Sequence, residues 1–429
     1  MTPESSVLGA VVAWIVLAAS FGLVLTCQPL RRDRRVAYVY LIALVLHHAW
    51  ALQLVFVDRN PTATDAGFFH LAALRRMESG ISFAGVGGGF YESYLAVAYD
   101  TLGIEFFLAC ELGVLAFALS CNALLHLLDD LGVRRRHWEI LALYALTLSS
   151  IRYTSTALRE GYQMLFFILA MHQAVRYKLH GRPLAIILAV AFAFAMGLFH
   201  DGLIIYSAVF SVAVLVWPVS LPFSANAPKA TSRRIKRALV LVPILVIAAF
   251  AAYRTGRLRF QTSIAASALL SSRALEYAAS YREHGMETDA RTTYGVKLNT
   301  ESVPKFALSL VPVYVYYMFA PFPWQVRGPI DAYGAAESIL RFALLLFSLS
   351  AFAHASGAHR RLLGLMLAGY LSLTLLWSLG TINYGTSIRH HLTTTWILLA
   401  VGGAPMVDSA AHFLRRLRAT IGQRPVRAG

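Results

Sequence analysis

The stretch VLGAVVAWIVLAASFGLVLTC, Val7 to Cys27, carries no charged residue, and RRDRR follows it at 31–35. A helix needs about 20 consecutive apolar residues to cross the hydrocarbon core of a bilayer. A run of that length closed by a basic cluster predicts a membrane span that ends in a cytoplasmic loop. The same pattern recurs along the chain. Apolar runs at 36–57, 104–128, 139–157, 161–179, 183–199, 202–222, 238–254, 335–354, 362–380 and 392–407 alternate with short polar connections. The expected fold class is therefore all-α, a polytopic transmembrane helical bundle of about eleven spans.

The composition agrees. The 429 residues are 58% hydrophobic and 14% charged, against roughly 25% charged in a soluble domain. Mean hydropathy is +0.59. The net charge of +16 (38 basic less 22 acidic) sits in short runs between apolar segments, so it points to loop orientation and away from a nucleic-acid partner. Cys27, Cys110 and Cys121 are too few and too apolar in context for a disulfide frame or a thiolate metal site. The first apolar run lacks the basic start and small-residue cleavage site of a signal peptide.

The basic loops set the expected orientation. RRDRR (31–35), RRR (134–136), RYKLHGR (176–182) and KATSRRIKR (229–237) belong to the cytoplasm, as do AHRR (358–361) and the tail LRRLRATIGQRPVR (414–427). All are satisfied only if the apolar piece 306–323 does not cross. Pro304, Pro312, Pro321 and Pro323 support a re-entrant or surface-lying piece there, since proline inside a helix removes a hydrogen bond. The expected organisation is one membrane domain, 1–429. It comprises an N-terminal span (1–35), a core (36–205), C-terminal spans (206–410) with an outer polar segment (255–305), and a basic tail (411–429).

This topology gathers isolated residues of mixed chemistry on the outer face. Charge near membrane depth is costly and usually marks a pathway or a site. In NPTATDAGFFHLAALRR (60–76), Asp65 opens an amphipathic helix. An acid in a first helical turn is favoured by the helix dipole. The same carboxylate, held at the membrane surface, is able to take a proton from a hydroxyl group. GISFAGVGGGFYESYLAVAYDTLG (80–103) lacks the Lys-Ser/Thr of a phosphate loop, and its glycines lead into a second surface helix near Tyr91 with Glu92 beside it.

SSIRYTSTALREGYQ (149–163) places Arg152 and Arg159 seven residues apart, with Glu160 adjacent. They read either as an ion pair that holds the turn or as a phosphate grip, for which the arginine fork is suited. GLFHDGL (197–203) puts His200 and Asp201 at another outer turn. The plain reading is a reversal at Gly202, since two ligands do not make a metal site. GTINYGTSIRHHLTTT (380–395) carries Arg389, His390 and His391 behind a glycine-bearing hinge. It reads as an anion site or as a snorkelling interfacial cluster. His47 and His48 read as bundle-facing polar residues.

An acid after an early span, two short surface helices, and STALRE (155–160) at an outer turn resemble the membrane glycosyltransferases of the GT-C class. The resemblance runs from about 36 to 205. APFPWQVRGPIDAYGAAESILRF (320–342) and NYGTSIRHH (383–391) are similar to multispan proteins of bacterial surface-polysaccharide assembly, including O-antigen-polymerase-like and EpsG-like proteins. The resemblance implies that Asp65 is the catalytic base and that Arg159 and Glu160 lie near the donor pocket. It implies a polyprenyl-phosphate-linked sugar donor, a glycan or lipid acceptor, and a bacterial inner-membrane protein whose site faces the periplasm or exterior. This chain has an extra span before the one leading to Asp65. It has a single acid at 65 where part of the class has a pair. That speaks against the divalent metal some members use, although a metal is not excluded.

On this reading Asp65 removes the acceptor proton, and Arg159, Arg389 and His390 hold the donor phosphate. Glu92, Arg152, Glu160, His200, Asp201 and His391 are further pocket candidates. A polymerase joining lipid-linked repeat units would use the same face. A transporter or flippase would be expected to show inverted repeats and helices broken near the midplane, and the sequence suggests neither.

Overall fold

The computed structural model describes residues 6–58, 65–80, 85–218, 274–287 and 292–422. The expected span 238–254 and the basic runs 229–237 and 423–427 lie outside them. Every regular element among the described residues is helical, apart from one isolated bridge between Thr293 and Asn383.

The chain runs through α1 (Val7–Thr26), α2 (Gln28–Arg32) and α3 (Arg34–Leu52), which continues as a π-helical turn, Gln53–Val57. Then come α4 (Asp65–Ser79), α5 (Gly88–Leu102), α6 (Phe106–Asp130), α7 (His137–Ala145), α8 (Leu148–Thr154), α9 (Glu160–His180), α10 (Pro183–Leu198) and α11 (Asp201–Val216). After the undescribed stretch follow α12 (Ala274–Glu287), α13 (Val303–Phe319), α14 (Pro329–His354), α15 (Gly357–Gly380) and α16 (Tyr384–Gly422).

Six helical stretches are long and apolar enough to cross a membrane: α1, α3 with its π turn, α6, α14, α15 and the Tyr384–Arg416 part of α16. The helices α10, α11 and α13 are apolar but shorter. These long apolar helices suggest an integral membrane protein. Their outward stripes are apolar too. Ile15 and Leu25 on α1, Ile42 and Val45 on α3, and Ile339 and Phe342 on α14 are all exposed. A surface of this kind suits hydrocarbon and is costly against water.

The centre of the bundle is α6, which packs against α1, α3 and α9. Of its most apolar window 78% is buried, against 17% for α1. Its small residues permit this. Gly113 approaches the Thr154 carbonyl so closely that a Cβ there would stand 2.8 Å from it. His47 and His48 are buried, as bundle-facing residues should be. His48 Nδ1 lies 2.7 Å from Glu111 on α6, and its Nε2 lies 2.8 Å from Ser20 Oγ on α1.

Two expectations need correction. The run 139–157 is not one continuous helix: α7 stops at Ala145 and α8 starts at Leu148. The freed backbone groups find partners on α14. The Leu148 amide donates to the Tyr333 hydroxyl, and Ser149 donates from its Oγ to Glu337 Oε1 at 2.6 Å. Apolarity over 139–157 gave no sign of the break, although Thr147 caps α8 locally by accepting from Ser150 N; the other partners come from residues nearly two hundred positions away. A helix broken within an apolar run is therefore present.

The second correction concerns the prolines of 306–323. Only Pro312 is inside α13; Pro304 sits in its first turn, and Pro321 and Pro323 follow its end. Proline is tolerated at a first helical turn and after a helix, so four prolines count as one interruption. The chain nonetheless enters and leaves α13 beside the same loop. Tyr294 N donates to Ile382 O before it, and the Tyr384 hydroxyl donates to Asp331 after it.

The two ends of the bundle differ in chemistry. At one end the basic loops meet each other. Arg32 and Arg134 both pair with Asp129, Arg136 pairs with Asp408, and the Trp217 indole donates to Arg361 O. The residues singled out at Asp65, Glu92, Arg159, Glu160, Asp201 and Arg389 lie at the opposite end.

Candidate functional site

Of the helices that begin at this end, three begin on an acid. Asp65 is the first residue of α4, Glu160 of α9 and Asp201 of α11, while α5 opens on Gly88. A carboxylate is favoured at each place because the unpaired amides of a helix start carry partial positive charge. The local reason for each acid is therefore the helix dipole. Tertiary structure then brings their neighbourhoods together.

Arg389, in the second turn of α16, joins two of them. Its Nη1 lies 2.5 Å from Asp65 Oδ2 and its Nε 2.9 Å from Glu160 Oε1. The two acids differ sharply in setting. The Glu160 side chain is 2% exposed and the Asp65 side chain 64%. One edge of the guanidinium is thus held by a buried carboxylate and the other by a carboxylate open to solvent.

Arg159, the residue before α9, stands beside this trio. It stacks over the Phe69 ring at 5.7 Å. Among the described residues its guanidinium forms no hydrogen bond or ion pair, while its carbonyl accepts from Gln163 N at 3.1 Å. Burial draws its pKa below the ordinary arginine value; Glu160, Asp201 and Asp65 favour its charge, and Arg389 opposes it. Two cations therefore face one region, and only one of them is neutralised by direct contact.

Gly87 and Gly88 form the adjoining wall. Gly87 has φ +72°, and a Cβ there would stand 2.6 Å from Asp201 Oδ1. A Cβ on Gly88 would meet Phe69, Glu92 and Arg159 at 3.5, 3.8 and 4.0 Å. Glu92 pairs with Arg76, Nε to Oε2 at 2.8 Å, which ties α4 to α5. Within GVGGG, Gly87 is therefore closely packed on Asp201, and Gly88 stands in ordinary contact with α4 and Arg159.

The other expected members make contacts of their own. Arg152 and Arg159 do not share a helix face, because α8 ends at Thr154 and the chain turns before α9. Arg152 is exposed and lies over Tyr153. His200 Nδ1 accepts from Gly202 N at 3.1 Å, and its ring packs edge-on against Trp377. That is the turn reading, with Asp201 against Gly87. His390 stacks on Trp377 at 4.0 Å, and its Nδ1 lies 2.9 Å from Thr381 Oγ1. Its ring also lies 6.2 Å from that of His200. His391 turns to a different side, with Nε2 donating to Tyr317 O at 2.9 Å. Consecutive residues of one helix point about 100° apart, which is why RHH does not act as one cluster.

The outer segment is described at 274–287 and 292–305. Arg282, fully buried, donates from Nη1 to Ser378 O and Thr381 O and from Nε to Val296 O. It clamps the end of α15, from which the chain turns into the helix bearing Arg389.

The donor set does not fit a resident metal. Among the described residues no three His, Cys, Asp or Glu side chains come together as a metal site. Arg389 stands between Asp65 and Glu160, where a cation would have to bind. Compared with protein-family models, with curated proteins and with solved structures, the chain matches none.

Proposed function

We propose that the chain is a membrane glycosyltransferase that moves a sugar, or an assembled repeat unit, from a polyprenyl-phosphate carrier to a hydroxyl acceptor at the outer membrane face. The observation that carries this reading is the meeting of Asp65, Glu160 and Arg389 beside Arg159, whose guanidinium has no polar partner among the described residues, at the end of the bundle away from the basic loops. The reading includes about eleven spans and a C-terminus in the cytoplasm.

The chemistry needs a base and a phosphate grip. The acceptor oxygen attacks the anomeric carbon as its proton passes to Asp65. The bond from that carbon to the phosphate oxygen breaks, and the phosphate leaves with the electron pair. Arg159 and Arg389 offset its charge through planar forks that reach two oxygens. Direct displacement inverts the anomeric centre. Phe69 and the Gly87–Gly88 wall limit where the donor can sit, which supplies orientation.

Asp65→Asn tests the base. Asparagine is nearly isosteric and itself caps helices well, so insertion and thermal melting should be unchanged. Transfer should fall by about 10²–10⁴. Near-normal transfer by the Asn variant in nanodiscs would remove Asp65 as base.

A transporter is the second reading, favoured by the break between α7 and α8. A cavity of about 40 Å³ lies against that break, lined by Ser149, Glu337, Arg341 and His391 among apolar side chains. Broken helices with ionisable neighbours recur in transport sites. Translocation of a lipid-linked sugar into proteoliposomes, undiminished in Asp65→Asn, would favour this reading.

A further inference from the structure

We propose that Asp65 is a resident stand-in for the substrate's phosphate, occupying the phosphate-binding edge of Arg389 until a phosphate displaces it. The inference rests on the proposed function and adds a regulation to it: the base is released by the donor.

The geometry around Arg389 is asymmetric. Nε faces Glu160, which is buried and held as the first residue of α9. Nη1 faces Asp65, whose side chain is 64% exposed. Exposed ion pairs contribute little, because solvent screens them and side-chain order is lost in making them. Of the two carboxylates, only Asp65 is placed to leave. Arg159 stands by without an acid partner among the described residues, so an arriving phosphate finds one free fork and one that is easily freed. A phosphate bridging Arg159 and Arg389 takes the place of the Asp65 carboxylate and keeps the charge balance around Arg389.

The exchange also orders the reaction. While paired with Arg389, the Asp65 carboxylate has Oδ2 engaged by a cation, which makes it a poorer acceptor for a hydroxyl proton. Once a donor phosphate holds Arg389, Asp65 is free at the rim where an acceptor would arrive. Donor binding thus precedes activation of the acceptor. No bond is made or broken in this step; one ion pair is exchanged for another.

Equilibrium binding to the purified full chain in nanodiscs tests it, with a long-chain polyprenyl phosphate as probe and neutral polyprenol as control. Asp65→Asn should tighten the phosphate probe by about twofold to fivefold, the worth of an exposed ion pair. The gain should vanish in a Glu160→Gln/Arg389→Met background, which leaves no buried carboxylate unpaired. That loss separates displacement at Arg389 from a general effect of removing one negative charge. Inorganic phosphate as a second probe assigns the source. The same ordering places recognition in the phosphate alone, and an effect seen only with the lipid assigns it to a headgroup carried by its tail. An unchanged or weakened affinity in Asp65→Asn, or a gain that survives without Arg389, overturns the stand-in while leaving the phosphate grip in place. No preference for polyprenyl phosphate over polyprenol in any form overturns the grip and the stand-in together.

Discussion

At the scale of single residues, the same side chain serves local and distant partners. Asp65, Glu160 and Asp201 are each placed by the need of a helix start for negative charge. Two of them are then recruited by Arg389, which is 324 residues from Asp65. The glycines obey a different constraint. At Gly87, φ +72° combines with an Asp201 oxygen 2.6 Å from any added Cβ. Conformations of this kind cost other residues about 1–3 kcal/mol. Gly87→Ala should therefore lower the thermal midpoint in detergent clearly. Gly88→Ala should be tolerated, since its nearest neighbour would be at 3.5 Å, an ordinary contact. Equal melting of the two variants would show that the Gly87 backbone is free to relax.

At the scale of elements, α4 and α5 form a two-helix cover at the site end, pinned by Arg76–Glu92 and by a contact between His70 Nδ1 and the Tyr99 hydroxyl at 2.7 Å. Burial holds the His70 imidazole down at about 4, from an ordinary 6.5. The folded state therefore binds its proton less readily than the unfolded chain does. Stability from this group is full above about pH 6.5 and is lost as pH falls from there toward 4. Protonation also ends the ability of Nδ1 to accept the Tyr99 hydrogen bond. Melting of the purified protein across that window should show a decline that is reduced in His70→Gln. An identical decline in the variant would place the pH sensitivity elsewhere. The break between α7 and α8 belongs to this scale as well. It is stable because Tyr333 and Glu337 of α14 accept from the Leu148 and Ser149 amides, which hydrocarbon would leave unpaired.

At the scale of the whole molecule, the bundle has one basic end and one end of mixed acids and arginines. If the basic end is cytoplasmic, a cysteine at exposed position 78 should react with a membrane-impermeant thiol reagent on intact cells. One at exposed position 135 should react only after the cells are opened. Cys27, Cys110 and Cys121 are buried and provide a silent background. The reverse pattern would invert the topology and move the proposed site to the cytoplasm.

Much of this was legible in residue order, because helix period, span length and capping are local. The uncharged run at 7–27 announced a helix that suits hydrocarbon. Asp65 was readable as the start of α4, and Glu92, Glu160, Asp201 and Arg389 were readable as polar residues where apolar runs end. Partner choice was not readable, because it depends on helices that meet only after packing. Arg152 was expected beside Arg159 and is not there, since a turn separates them. His390 and His391 were expected with Arg389 and point to Trp377 and Tyr317 instead, since successive helical residues diverge. By itself the sequence determined the all-helical, apolar character of the described chain and marked Asp65, Glu160, Asp201 and Arg389 as polar residues where apolar runs end. Only the tertiary structure decided that Asp65 and Glu160 share one arginine while the Arg159 guanidinium meets no acid among the described residues, because helix–helix packing, and no periodicity along the chain, sets distances between residues hundreds of positions apart.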